Sequence, residues 1–286
     1  MQFAYLIMAH KNQRQLLLLL QLLDHIENDI FLHIDKKSSC FDFNIIKNHL
    51  HYAKIHIYNK FDIRWAGISQ TKCQVFLLKE ATQTFHDFYH LISGEDLPIK
   101  KHHDILAFFS KNKNKEFIHF ESKDYTIKSN YTYYHFSNLN RRDYKTSNLL
   151  LSFEKRSITW QKNMGINRKF YSGANWFSIT HKLAIDFCEN SDFMLKQVRW
   201  TISSDECILQ TFVRVYSKSR YDFYKTPNSP DDYSGTARLI DWKRGGPYVW
   251  RQKDFNEIIN SDRMFARKFD ENIDCEIIKN VVKYVQ

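Results

Sequence analysis

Apolar residues in the first 120 positions fall into short unbroken runs, and the stretches between those runs carry a helical period. Phe3 to Ala9, Ile30 to Ile34, Lys54 to Tyr58, Phe88 to Ile92 and Glu116 to Phe120 read as strands. Gln13 to Ile26, Phe43 to Leu50, Ser69 to Phe85 and His103 to Phe109 read as helices, with Ser69 placed to cap its own. Strands apolar on both faces and alternating with helices predict a mostly parallel central sheet flanked by helices, an α/β fold. In open sheets of this kind ligands bind beyond the carboxyl ends of the strands. Polar clusters stand at three such ends: His10-Lys11, His33 to Lys37 and Gly94 to Asp96.

The pattern then changes. From Ser122 to Arg168 the chain is polar, basic and rich in tyrosine, with weak periodicity, which predicts a long functional loop region or an insertion facing an acceptor. Order returns at Phe170 to Thr180, followed by helices from His181 to about Glu189 and from Ser204 to Val213. A strand at Arg238 to Trp242, a loop at Lys243 to Pro247, a helix at Lys253 to Asn260 and a final amphipathic helix complete the pattern. With 286 residues and 43% hydrophobic content, the chain can bury a full core as one domain, 1–286. A nucleotide-binding half (1–121) and an acceptor-binding, catalytic half (122–286) would share its cleft.

Composition narrows the chemistry. With 7 glycines and no G-x-G-x-x-G or G-x-x-x-x-G-K-[ST] pattern, the usual dinucleotide and P-loop phosphate cradles are excluded. The net charge of +10 fits either a solvated basic surface or an anionic partner: nucleic acid, anionic lipid or a phosphate-bearing ligand. No arginine-rich helix or zinc-finger spacing supports nucleic acid. Five scattered cysteines without C-x-x-C indicate neither a disulfide framework nor a zinc site, and the histidines show no metal spacing. The run Leu16 to Leu20 is too short to span a bilayer and lacks the flanks of a leader peptide, so a cytoplasmic protein is expected.

Ser203-Ser204-Asp205-Glu206 opens an apolar stretch. Ser203 and Glu206 have the spacing of a capping box; alternatively, Glu206 is a carboxylate held at a helix start to take a proton from a nucleophilic hydroxyl. Basic residues cluster late, at Lys243, Arg244, Arg251, Arg263, Arg267 and Lys268. Fixed cations of this kind can stabilise a departing diphosphate in place of a metal, for which no Asp-x-Asp stands at a strand end. Phe265, Ala266 and Phe269 should pin Arg267-Lys268 against the core. Asp35 either forms a turn or accepts hydrogen bonds from a base or ribose; Trp65 can stack on a ring while Arg64 reaches a phosphate; Asp96 either closes the turn before Pro98 or binds sugar hydroxyls.

In order along the chain, Ala9-His10-Lys11, Phe31 to Lys37, Arg64 to Ser69, Tyr89 to Lys100, Ser172 to Thr180, Asp205-Glu206, Ile240 to Trp242 and Phe265 to Asp270 resemble the core-2/I-branching β-1,6-N-acetylglucosaminyltransferase family, which also holds the peptide O-xylosyltransferases. The resemblance covers nearly everything except Ser122 to Arg168. It implies a GT-A fold and an inverting transfer from a UDP-sugar, most simply UDP-GlcNAc, with no metal and no cofactor. Carried over by motif, Glu206 is the base, Asp35 contacts uracil, and Arg267 and Lys268 the diphosphate. Arg244 adds a charge there, with Arg251 as its rival. His10, Arg64 and Trp65 join the donor set; Asp96, Asn175, Trp176 and Asp205 form the sugar and acceptor set. Asn175 stands where xylosyltransferase-like members carry Asp. The setting implied is a bacterial enzyme of surface-polysaccharide synthesis, acting on a glycan acceptor, free or lipid-linked, at the inner face of the inner membrane in peripheral contact with anionic lipid. A non-catalytic basic nucleotide- or nucleic-acid-binding protein is the competing class.

Overall fold

The computed structural model describes all residues but 122–123, 125–127, 137–143 and 226–232, and for 144–149 the backbone. The first half runs β1 (Phe3–Ala9), α1 (Gln13–Leu22), β2 (Asn28–Ile34), α2 (Phe43–Lys47), β3 (Lys54–Tyr58), α3 (Ile68–Ala81), β4 (Phe88–Ser93), β5 (Asp96–Pro98), α4 (His102–Lys111) and β6 (Lys115–Glu116). There follow α5 (Ser129–Thr132), α6 (Tyr144–Asn163), β7 (Ser178–Thr180), α7 (His181–Val198), α8 (Ile208–Thr211), β8 (Asp222–Phe223), β9 (Arg238–Ile240), α9 (Phe255–Ile259), β10 (Phe265–Arg267) and α10 (Cys275–Val285).

The main sheet has the order β3-β2-β1-β4-β7, parallel except for β7. This is the mostly parallel α/β architecture that the apolar runs predict. Each side chain of β1 chooses a face by the twofold alternation of a strand. Phe3, Tyr5, Ile7 and Ala9 join a core with α1 and α10, while Ala4 and Leu6 join another with α3 and α7. Both cores draw on the first 120 residues and on the remainder of the chain. The strand order reverses direction at β1, between β2 and β4, which puts the topological switch point beside Ala9 and Ser93. A second sheet, β5-β10-β9, carries Phe265 to Arg267 across this opening.

Several expectations need correction. Ser69 does not cap α3: Gly67 occupies the cap position, and the Ser69 hydroxyl instead accepts the Arg64 N–H at 2.8 Å. The strand expected over Glu116 to Phe120 shrinks to Lys115–Glu116 plus a bridge from Phe117 to Ser178. Beyond it the backbone leaves the sheet to bond the segment 172–174, Glu121 N–H to Ser172 O at 2.8 Å. The helix from Ser204 breaks into a 3-10 turn (Ser204–Glu206), α8 and a π-helical turn (Phe212–Tyr216).

The stretch read as a long loop holds the 20-residue helix α6. The rest of that reading, at 122–123, 125–127 and 137–143, lies outside the described residues. The reason α6 escapes a hydrophobic-period reading is chemical. Its buried side chains include Glu154 and Gln161, and these bond backbone: Glu154 accepts from Phe136 N–H at 2.9 Å, and Gln161 clasps Tyr134 N–H and C=O at 2.8 and 3.0 Å. Phe153 and Trp160 are exposed, so the polarity of the helix is inverted relative to a core helix.

Candidate active site

Glu206 sits in the 3-10 turn, and its side chain caps nothing. Ser203 adopts φ 52° and makes no side-chain cap bond, so the capping box that the spacing allowed is not formed. The Glu206 carboxylate instead accepts a hydrogen bond from the buried Tyr131 hydroxyl at 3.0 Å. Ser203 N–H donates to Ala66 O at 2.9 Å, and Ala66 is itself left-handed at φ 58°. Two non-glycine residues in that region cost on the order of 1–3 kcal/mol each and persist only where the surroundings fix them. Here they tie the Arg64-Trp65 loop to the Glu206 turn.

Asp205 is buried, with one oxygen accepting from Gln70 Nε2 at 2.7 Å and the other without a partner among the described residues. Burial raises its pKa, and the Glu206 charge raises it further. Burial also raises the pKa of Glu206, while the Tyr131 hydroxyl and Lys128 oppose the shift. The repulsion between the two carboxylates is mutual, so the pair titrates jointly, upward. Helix α3 holds the pair from behind. Gln70, Thr71 and Gln74 share one helical face: Thr71 meets the Ser204 hydroxyl at 2.6 Å and Gln74 Nε2 reaches Asn175 Oδ1 at 2.7 Å.

Arg267 ends β10 and Lys268 follows it through a cis peptide bond. Phe265, Ala266 and Phe269 are buried, pinning the pair to the core as expected. Antiparallel register sets Arg267 opposite Asp96, and Arg267 Nη1 lies 2.6 Å from Asp96 Oδ1 and also bonds the Ser93 hydroxyl. Lys268 Nζ is 3.1 Å from Glu95, whose other oxygen is 2.8 Å from Lys11; Lys11 in turn pairs with Asp270 at 2.5 Å. These cations hold Glu95 below the usual carboxylate range against the opposing effect of burial.

The two clusters are joined by one short segment. Gly173 N–H donates to Glu206 O at 2.8 Å, and the Trp176 ring lies under the Arg267 guanidinium at 4.3 Å. A Cβ at Gly173 would fall 1.8 Å from His119 O, so only glycine permits this approach. Three residues of chain reach at most ~11 Å. One short segment therefore connects the Glu206 backbone to the Arg267 guanidinium, which itself bonds Ser93 at the carboxyl end of β4.

The structure places the remaining candidates unevenly. Asp35 is buried after β2, where it accepts Lys37 N–H at 3.0 Å and closes a turn. His10 is exposed beside Asp35, Glu95 and Lys268; partial burial together with Lys11 and Lys268 holds its imidazole below the usual pKa. Trp65 is exposed. Arg244 is not in direct contact with the basic pair: its guanidinium is bound by Asp241, Asp254 at 2.8 Å and Glu257 at 2.9 Å. It reaches the pair indirectly, through Tyr248, whose ring lies at 4.4 Å and whose carbonyl accepts Lys268 N–H at 3.4 Å, and through Trp250, whose ring lies at 5.3 Å and whose indole N–H bonds Arg267 O at 2.8 Å. Arg251 bonds Ile273 O at 3.3 Å, away from the pair. Sequence reasoning missed Tyr131, Gln70 and Gln74, and reached Glu95 only as a member of the polar cluster Gly94 to Asp96. The signal available for the glutamines was their i, i+4 spacing, which puts both on one face of α3.

The Core-2/I-branching enzyme family model matches residues 3–264 of this sequence. The chain belongs to that family of glycosyltransferases. Among curated proteins this family member is similar to xylosyltransferase 2 of Rattus norvegicus, 22% identical over 299 residues, covering 97% of this chain and 33% of that protein. Xylosyltransferase 2 of Bos taurus is 22% identical, covering 99% and 33%, and the xylosyltransferase of Ciona intestinalis 22%, covering 98% and 34%. The chain thus spans about a third of the length of the curated relatives it matches.

Proposed function

We propose that this family member transfers a sugar from a UDP-sugar to a hydroxyl of a glycan acceptor by single displacement, with inversion and without a metal. The acceptor oxygen attacks the anomeric carbon while Glu206 takes its proton. The bond from that carbon to the β-phosphate oxygen breaks, and its electron pair leaves on UDP, stabilised by Arg267 and Lys268. The observation that supports this reading is the Gly173–Trp176 segment, bonded to the Glu206 backbone at one end and stacked on the Arg267 guanidinium at the other, which links a carboxylate with a raised pKa to a fixed cation. A base must be near neutrality to accept a proton and still release it, and burial moves Glu206 in that direction. Asp35, His10, Arg64 and Trp65 would hold the nucleotide; Asp96, Asn175, Trp176 and Asp205 the sugars.

For the donor, UDP-GlcNAc is our first reading and UDP-xylose the second, favoured by relatives that are named xylosyltransferases. We further propose an acceptor carried on lipid at the inner face of a bacterial membrane, a surface polysaccharide in growth. Among the described residues no helix is long and apolar enough to cross a membrane. Support for peripheral contact comes from α6 and the residue after it, where exposed Phe153, Trp160 and Met164 stand among exposed Lys155, Arg156 and Lys162. Thermal-shift screening of UDP-sugars with and without EDTA, followed by donor-hydrolysis assays on the hits, tests the reading. Stabilisation by one UDP-sugar and turnover that survives EDTA are expected. Strict dependence on manganese, or no response to any UDP-sugar, would sink it.

A further inference from the structure

At the end of the sheet opposite the active site, three side chains from two elements converge. His25 and Glu27 lie in the turn between α1 and β2, and His102 opens α4. The imidazoles of His25 and His102 stack with centroids 3.7 Å apart and planes 4° from parallel, and His102 Nε2 is 3.3 Å from Glu27 Oε2. One ligand atom from each residue lies within 4.8 Å of the other two, and all three side chains are half-buried. The backbone beneath them is held at several points: Asn28 N–H bonds His25 O at 3.0 Å, Phe3 N–H bonds Glu27 O at 2.8 Å, and the buried Asn28 side chain bonds Leu23 O at 2.9 Å. On the other side, α4 is anchored by buried Ile105 and Phe109.

We propose that His25, Glu27 and His102 form a divalent transition-metal site, best suited to Zn²⁺. Two imidazole nitrogens and one carboxylate oxygen are the borderline donor set that zinc prefers, and three protein ligands leave a fourth position for water. A tetrahedral zinc with bonds of ~2.0–2.2 Å needs its ligand atoms ~3.4 Å apart. The cluster would close by roughly 1 Å, and one imidazole would turn out of the stack so that both in-plane nitrogen lone pairs meet at the ion, a side-chain rotation on a fixed backbone. The ion replaces the proton shared between His102 and Glu27 and cross-links α4 to the α1–β2 turn. Since β2 separates this cluster from Asp35 by about 20 Å of strand, the ion is structural and takes no part in transfer. Sequence spacing conceals the site, because its third ligand is 75 residues from Glu27.

Titration calorimetry of tag-free, EDTA-stripped protein with Zn²⁺ tests this, alongside thermal melts. One ion per chain is expected, with a rise in Tm of about 2 °C or more in excess zinc. His25→Ala and His102→Ala should each weaken binding at least tenfold. His103→Ala, altering an exposed neighbour outside the cluster, should leave it unchanged. Glu27→Gln provides the same test should either histidine variant fail to fold, with binding again at least tenfold weaker. Zinc uptake indifferent to Glu27 and His102, or no uptake by the wild-type chain, overturns the proposal.

Discussion

The two sides of the candidate active site hold their charges by opposite means. On the basic side every charge has a counter-charge: Arg267 with Asp96, Lys268 with Glu95, and Lys11 with both Glu95 and Asp270. On the acidic side two carboxylates are adjacent in sequence, and their direct partners are neutral, the Tyr131 hydroxyl and the Gln70 amide. A network of paired charges is stable as it stands and needs nothing from a ligand. A buried pair of like charges is not, since desolvation and mutual repulsion both favour a proton. The first arrangement suits a fixed electrostatic platform for a leaving group. The second suits a group that exchanges protons during a reaction. The comparison also explains why Arg267 can serve a ligand at all. Among the described residues its hydrogen bonds use Nη1 alone, out of the five donors of a guanidinium.

The largest effect should come from removing the proton acceptor. Glu206→Gln keeps the shape and an acceptor for Tyr131 but cannot take a proton, so kcat should fall ~10²–10⁴-fold. Circular dichroism and melting should show a folded protein. A Gln variant with wild-type turnover in a radiolabelled-sugar transfer assay would falsify the base assignment. Next comes Arg267→Met, which removes one charge-assisted contact to the diphosphate, worth ~1.5–3 kcal/mol, and predicts roughly 10–100-fold lower kcat/KM. Inhibition by UDP should weaken in parallel. The variant also strands Asp96, so its melting temperature should drop. The double variant Asp96→Asn with Arg267→Met should recover stability without recovering UDP affinity. Recovery of both would mean that Arg267 acts only as a structural counter-ion.

The strands were legible because β1, β2 and β4 are buried on both faces and therefore read as unbroken apolar runs. The basic pair was legible for a related reason: Phe265, Ala266 and Phe269 announce a buried strand that must present its next residues at a fixed place. Glu206 was legible as a candidate, but its local spacing equally permitted a capping box. Only the left-handed Ser203 and the bond from Tyr131, both tertiary facts, decide between the two. Tyr131 itself was hidden in a stretch whose helix α6 packs through Glu154 and Gln161. A buried face made of hydrogen-bonding side chains leaves no hydrophobic period to detect. Arg244 shows the converse. Its position among other basic residues suggested a phosphate ligand, yet Asp241, Asp254 and Glu257, dispersed along the sequence, surround it in space.

The smallest and sharpest test uses two variants that should move the same pH profile in opposite directions. Tyr131→Phe deletes the hydroxyl that favours ionised Glu206, so the carboxylate pKa rises. The acidic limb of kcat/KM, which reports deprotonation of the base, should shift to higher pH; the lost hydrogen bond, worth ~0.5–1.5 kcal/mol, corresponds to about 0.4–1 unit. Asp205→Asn removes the like charge beside Glu206 while its amide oxygen still accepts from Gln70, so the limb should shift to lower pH. Stability provides the sign check. Asp205 is raised in the folded protein, so its own contribution to stability declines as pH climbs from the unfolded value near 4 through the folded one. The Asn variant escapes this decline. Its advantage in urea melts should be absent near pH 4, grow as pH rises towards the folded-state value of about 8, and level off beyond it. Parallel shifts of both pH–rate limbs, or an Asn advantage that does not depend on pH, would show that the two carboxylates do not share one titration. The contrast between the paired and unpaired sides of the site would then be one of geometry alone.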